Sequence, residues 1–156
     1  MAIREILTIN KPEDVLFLTE PCNKLADPNV CEGAIRDLLD TAKKHYAICL
    51  GLAANQIGYL EPLFVIKDLD TATEFEVILQ PKVIAVSKGM KGGAEGCLSR
   101  PETPRHKVPL IWKRRHQSIT MEYIDYGTGE IVRRKFKKLA ARIVQHELDH
   151  LKGKIV

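Results

Sequence analysis

The stretch that most restricts what this chain can fold into is QHELDH, Gln145 to His150, near the end of a segment running from about Lys138 to Lys152. Residues four apart on a helix differ by about 40° of rotation and one turn of rise, so His146 and His150 can point at one metal ion. Leu139, Ile143, His146, Glu147 and His150 fall near one another on such a helix, and Gly153 is placed to end it as the C′ residue. Glu147 is suited to hold an activated water and take its proton without being a ligand itself. The rest of the chain must therefore build walls around a helix whose inner face carries chemistry.

A catalytic site of this type needs three protein ligands and one open position. After His150 come only Leu151, Lys152, Gly153, Lys154, Ile155 and Val156, none of them a suitable side-chain ligand. The third ligand is expected upstream, which sets the chain apart from peptidase layouts with a ligand downstream of H-E-x-x-H. Candidates are His45, His106, His116, the carboxylates and the cysteines Cys22, Cys31, Cys49 and Cys97. Cys97 stands out because it sits in GGAEGCLS, Gly92 to Ser99, where glycines would let the backbone approach a metal or substrate. Cys22, Cys31 and Cys49 read as small buried residues. A second segment, LGLAANQIG from Leu50 to Gly58, combines small residues with the amide donor of Gln56.

With 45% hydrophobic and 28% charged residues over 156 positions, the composition is that of a folded protein, read as a single domain over 1–156. No run approaches the ~20 apolar residues that span a bilayer, and MAIREILTIN lacks a basic region followed by an apolar core. A cytoplasmic protein without a disulfide framework is expected. The net charge of +4 is uneven, with basic runs at Lys113–Arg115 and Arg133–Lys138. Both read foremost as solvated strand faces, and without interleaved aromatics they do not indicate sequence-specific nucleic-acid binding.

Asp27-Pro28 resembles an N-cap followed by proline at the first helical position, and the apolar spacing from Ala34 to Ala42 predicts a helix from about Pro28 to Tyr46. Strands are predicted at Pro62–Ile66 and Phe75–Ser87, with a hairpin from Ser118 to Phe136 turning at Gly127 and Gly129. The order gives an α+β fold: antiparallel β-sheets around a C-terminal metal-binding helix, with an N-terminal helix packed outside.

Taken together and in this order, GLAANQ, EGCLS and QHELDH resemble the three motifs of the peptide deformylase family, over a span from Leu50 to Gly153. The resemblance implies that Cys97, His146 and His150 hold one divalent metal, Fe(II) natively with zinc, nickel or cobalt as substitutes. It makes Glu147 the general base, and Gln56 with the backbone N–H of Leu98 the oxyanion donors. The implied substrate is an N-formyl-methionyl peptide, deformylated to formate and a free amine. The lack of a targeting segment favours a bacterial-type cytoplasm, and a phage-encoded or processed organellar protein would look similar. Leu50, Leu139 and Ile143 are candidate walls for the methionine side chain, and the backbone at Leu50 and Gly51 for pairing with an extended peptide.

Two positions depart from the family pattern. Cys49 stands where the first motif opens on glycine, and Leu110 follows Val108-Pro109 where arginine commonly pairs with the glutamate of the second motif. Glu95 then needs another partner, with Arg100 and Arg105 the nearest choices. The chain ends at Val156, so ribosome docking through a C-terminal extension is not carried over, and the basic Arg133–Lys138 run is the alternative contact with ribosomal RNA. Two other functions use the same residues: a related metallo-amidase or aminopeptidase, and a non-catalytic, metal-stabilised binding module.

Overall fold

Strand β2, Leu63–Lys67, explains the layering: Leu63, Phe64, Val65 and Ile66 are all buried, so this strand is covered on both faces. A computed structural model of the chain describes residues 2–23, 29, 31–100, 102–105 and 108–156. Helices α1, Pro12–Leu18, and α2, Glu32–Lys44, precede β1, Gly51–Ala53, and a single 3-10 turn, Ala54–Ile57. After β2 come β3, Phe75–Val86; β4, Met90–Gly96; β5, Leu110–His116; β6, Ser118–Asp125; β7, Ile131–Lys137; and α3, Lys138–Leu151. One antiparallel sheet has the order β1-β2-β3-β6-β7, and β4 and β5 form a separate two-stranded antiparallel ribbon.

Alternation along the strands divides the core between two helices. Phe64, Ile66 and Ile78 pack with Met121 and Phe136 against Ala141, Val144 and Leu148 of α3. Leu63, Val65 and Leu79 face the opposite side, against Ala34, Ile35, Leu38 and Ala42 of α2. Each fully buried aliphatic side chain contributes about 2 kcal/mol of transfer free energy, so the apolar stripe of each helix fixes which side of the sheet it occupies. The expected α+β arrangement is present: sheets around the C-terminal helix, and α2 outside. No helix among the described residues is long and apolar enough to cross a membrane.

The local expectations fare unevenly. Helix α3 ends as expected, with Gly153 at φ +75 and its N–H donating to the His150 carbonyl at 2.9 Å. A side chain at that glycine would run into the carbonyl of Thr19, just beyond α1. The predicted hairpin is β6–β7, and Gly129 supplies the left-handed turn residue at φ +73. Helix α2 starts at Glu32 and is capped at His45, short of Tyr46, and the proposed Asp27-Pro28 start lies outside the described residues. Neither α1 nor the β4–β5 ribbon is signalled by periodicity, because α1 is seven residues long and β4 is rich in glycine.

Candidate metal centre

Helix α3 and the turn after β4 deliver the donors. His146 and His150 sit one turn apart on the buried face of α3, with ring centroids 5.0 Å apart. Cys97 follows β4 directly, and its sulfur lies 3.3 Å from His150 Nε2. One ligand atom from each of the three residues lies within 4.8 Å of the others, and all three residues are buried. This is the one group of three or more potential ligands of this kind among the described residues, and His45 and His116 take no part in it. His106 lies outside the described residues. Cys22, Cys31 and Cys49 are buried, as their sequence context indicates. Burial pushes the Cys22 and Cys49 thiols up to about 12.

Glu95 organises the site from behind. Its Oε1 lies 2.9 Å from His146 Nδ1, which directs the other ring nitrogen of His146 away from Glu95. Arg115 donates to the same carboxylate twice, Nε to Oε2 and Nη2 to Oε1, both at 2.9 Å. Arg142 adds a third donor, Nη1 to Oε2 at 2.7 Å. Neither Arg100 nor Arg105 serves Glu95; the Arg100 Nε donates instead to the Val156 carbonyl. The reading of Lys113–Arg115 as a solvated face also fails at its last residue, because alternation along β5 turns Arg115 inward, where it is 7% exposed. Burial raises the cost of ionising Glu95, but the His146 hydrogen bond and the Arg115 pair outweigh it and hold the carboxyl well below the usual range.

The two histidines are electrostatically unlike. Burial lowers the proton affinity of His146, yet hydrogen bonds to Cys97 and Glu95 outweigh this and raise it to about 10. Burial, then repulsion from His146, pushes His150 down to about 3, leaving a neutral imidazole suited to ligate. His150 Nδ1 and Glu147 Oε2 are buried with no hydrogen-bond partner among the described residues. A thiol, two imidazoles and an unligated carboxylate, gathered at a buried site, fit a four-coordinate cation with one open position.

Glu147 is fully buried, and burial pushes its carboxyl up to about 7. Its placement depends on Gly51: a Cβ at that position would lie 2.6 Å from Glu147 Oε1. Gln56 is held by its own loop, accepting from the Ala53 N–H at 2.9 Å, while its Nε2 lies 3.0 Å from Ser99 Oγ and 3.7 Å from Cys97 Sγ. Asn55, the neighbouring residue, donates to the His150 carbonyl at 2.7 Å and so ties the first motif to the third.

A cavity of about 340 Å³ opens onto these groups. Leu50, Gly51, Leu139 and Ile143, the residues singled out for substrate binding, all line it, together with Leu98, Gln56, Cys97, His146 and Glu147. Arg142, Val108 and Leu110 line it too and were not foreseen. Arg142 was legible in principle, since it lies one turn before His146 on α3. The glycines of β4 are required by packing: a Cβ at Gly92 would meet Trp112 at 2.7 Å, one at Gly93 the Arg142 guanidinium at 3.0 Å, and one at Gly96 Val108 at 2.5 Å.

A buried Cys-His-His donor set, with a glutamate beside the first histidine and an apolar cavity in front, defines a metallohydrolase type of site. The chain belongs to the peptide deformylase family: the family model described as polypeptide deformylase matches residues 3–156. The peptide deformylase of Roseiflexus sp. (strain RS-1) is 34% identical over 171 residues, covering 98% of this chain and 86% of the relative. That of Caulobacter vibrioides is 35% identical over 161 residues, covering 98% and 85%. The crystal structure of peptide deformylase from Thermotoga maritima superposes with a TM-score of 0.81 at 26% identity, over 99% of this chain and 95% of that one. A probable peptide deformylase from synechococcus phage S-SSM7 gives 0.79 at 26% identity, over 97% and 96%.

Proposed function

We propose that the protein removes the N-formyl group from formyl-methionine at the start of new polypeptides, releasing formate and a free amine. The observation that carries this reading is the cluster of Cys97, His146 and His150 beside Glu147, whose Oε2 has no hydrogen-bond partner among the described residues, at a cavity with mostly apolar walls lined by Cys97, His146 and Glu147. Cys97, His146 and His150 would hold the metal, which supplies Lewis acidity toward the formyl oxygen and the attacking water. Iron(II) is the native metal by family resemblance, with zinc, nickel or cobalt as substitutes.

The chain's own residues divide the remaining work. Glu147, with its proton affinity near neutrality, accepts the proton of the attacking water at its carboxylate and returns it to the departing amine. Gln56 Nε2 and the Leu98 N–H donate to the oxygen that gains charge at the formyl carbon. Leu139 and Ile143 receive the methionine side chain. Among the described residues strand β1 pairs only with β2 and is the edge of its sheet, which supports an extended peptide lying beside Leu50 and Gly51.

The test is anaerobic purification with metal quantification, then assay of a formyl-Met peptide and its free-amine counterpart for formate release and chain cleavage. Stoichiometric formate with an intact chain is expected; cleavage of the free-amine peptide instead would favour an aminopeptidase. Glu147→Ala is expected to keep the metal and lose roughly 10²–10⁴-fold in rate. Cys97→Ala is expected to lose metal retention, and full activity in both variants would overturn the assignment.

A further inference from the structure

A second cavity, of about 490 Å³, lies against the first. Its walls include Lys91, Arg115, His116, Lys138 and Arg142 and, among the described residues, no carboxylate. Ala94, Leu139 and Arg142 line both cavities, so these three form the partition between them. Alanine is too short to close it, and Leu139 is 46% exposed, at the mouth. Arg142 spans it: Nη1 donates to Glu95 Oε2, on the side of the metal centre, and Nη2 donates to the Lys91 carbonyl of the second cavity, both at 2.7 Å. A further bond to the Lys113 carbonyl at 3.0 Å and contact with the bare backbone of Gly93 fasten the guanidinium in place.

We infer that Arg142 is a specificity-determining residue: it limits how far the first side chain of the substrate can reach, by closing the apolar pocket against a cationic cavity behind it. The inference rests on the deformylase reading of the first cavity. The first cavity, of about 340 Å³, has volume enough for a methionine side chain with the plug in place. A longer side chain meets a charged, hydrogen-bonded plug whose displacement would break three hydrogen bonds and leave Glu95 short of a donor. With the plug removed the two cavities join, and the new space favours an anionic tip because Lys91 and Lys138 line it with no acidic counterpart.

Three formylated peptides test this, identical except at the first residue: methionine, an unbranched alkyl side chain twice as long, and the carboxylate-tipped analogue of that chain. In Arg142→Ala the kcat/KM ratio of each long substrate to methionine is expected to rise roughly tenfold or more, with the carboxylate-tipped one gaining most, and Arg142→Lys should gain less. Gly93→Ala crowds the guanidinium by a few tenths of an ångström and should move the ratio the same way by a smaller factor, which covers the case of an unstable Arg142→Ala. Ratios within about twofold of wild type in the metal-loaded variants would overturn the inference. Absence of formate from the wild type with the methionine peptide would instead overturn the deformylase reading. Binding gives a readout without turnover: the chain's single tryptophan, Trp112, packs over Gly92, whose backbone lines the second cavity. The carboxylate-tipped peptide should change Trp112 emission in Arg142→Ala and not in wild type; equal responses in both would also count against the partition.

Discussion

Arg115 grips Glu95 at both carboxylate oxygens, 2.9 Å on each side, and its remaining nitrogen, Nη1, lies 2.6 Å from Asp149 Oδ2. One buried guanidinium thus braces the carboxylate that orients His146 and the residue immediately before His150. The fork of arginine matches this geometry, and a lysine could not supply three directed donors in one plane. Leu110 leaves its position without a cation, and Arg115, five residues further along β5, fills that role for Glu95.

Arg115→Leu is therefore expected to weaken metal binding by roughly 10- to 100-fold, because the partner that orients a metal-ligating histidine is itself set loose. Competition with a calibrated chelator measures this. Arg115→Lys should recover only part of the loss, and affinity equal to wild type in both variants would show that Glu95 is held well enough by Arg142 alone.

Metal removal should also be visible as stability. The donors come from α3 and from the turn after β4, so bound metal ties the ribbon to the helix and stabilises the folded state by mass action. At a thousandfold excess over Kd this amounts to about 4 kcal/mol, or roughly 10 °C in Tm for a chain of this length. Calorimetry with chelator, then with metal restored, should show the fall and its reversal, and Cys97→Ala should blunt both.

How much of this was legible depends on whether a residue's role is local. The H-E-x-x-H spacing, the GLAANQ loop and the apolar stripe of α2 speak through neighbours in sequence, so helix α3, its donors and its cap could be read directly. Cys97 lies 49 positions before His146, and only the resemblance of its motif joined the two. Arg115 and Arg142 were hidden for a different reason. A charged side chain reads as solvated unless its partner is known, and their partner, Glu95, reaches them through the β4–β5 ribbon, whose glycines suppress the alternation that marks a strand. In the sequence those glycines suggest close approach to a metal or substrate, and the packing of Trp112 and Arg142 against them is a use that only the structure reveals.

Far from the metal, Asp37 on α2 accepts from Arg4 Nε and from the Tyr59 hydroxyl, each at 2.7 Å, and also from the Ala2 N–H at 3.0 Å. Burial opposes its ionisation, yet the Tyr59 and Arg4 hydrogen bonds prevail, and its proton affinity falls below the ordinary carboxylate value. A depressed carboxylate contributes stability above its unfolded value of about 4 and loses it as pH falls through the folded value. Asp37→Asn should lower Tm by roughly 5 °C at neutral pH, and the gap between variant and wild type should narrow below about pH 4. A gap constant from neutral to acid pH would mean that shape, and not charge, ties Arg4 to α2.

Gly51 offers the sharpest separation of fold from chemistry. Its backbone stands so close to Glu147 that an added Cβ would lie 2.6 Å from Oε1 and 3.0 Å from both Cδ and Cγ. The glutamate is buried beside the cavity it lines, so Gly51→Ala must either displace the carboxylate toward that space or shift β1. Strand β1 is pinned through Gly51↔Ile66, Leu52↔Val65 and Ala53↔Phe64, and Leu52 and Ala53 are fully buried, which makes the carboxylate the part that yields. Misplacing a general base by about 1 Å costs on the order of 100-fold in rate. Gly51→Ala should therefore bind metal as wild type does, melt within a few degrees of it, and show that loss in kcat; a loss confined to KM would instead place Gly51 in peptide binding alone.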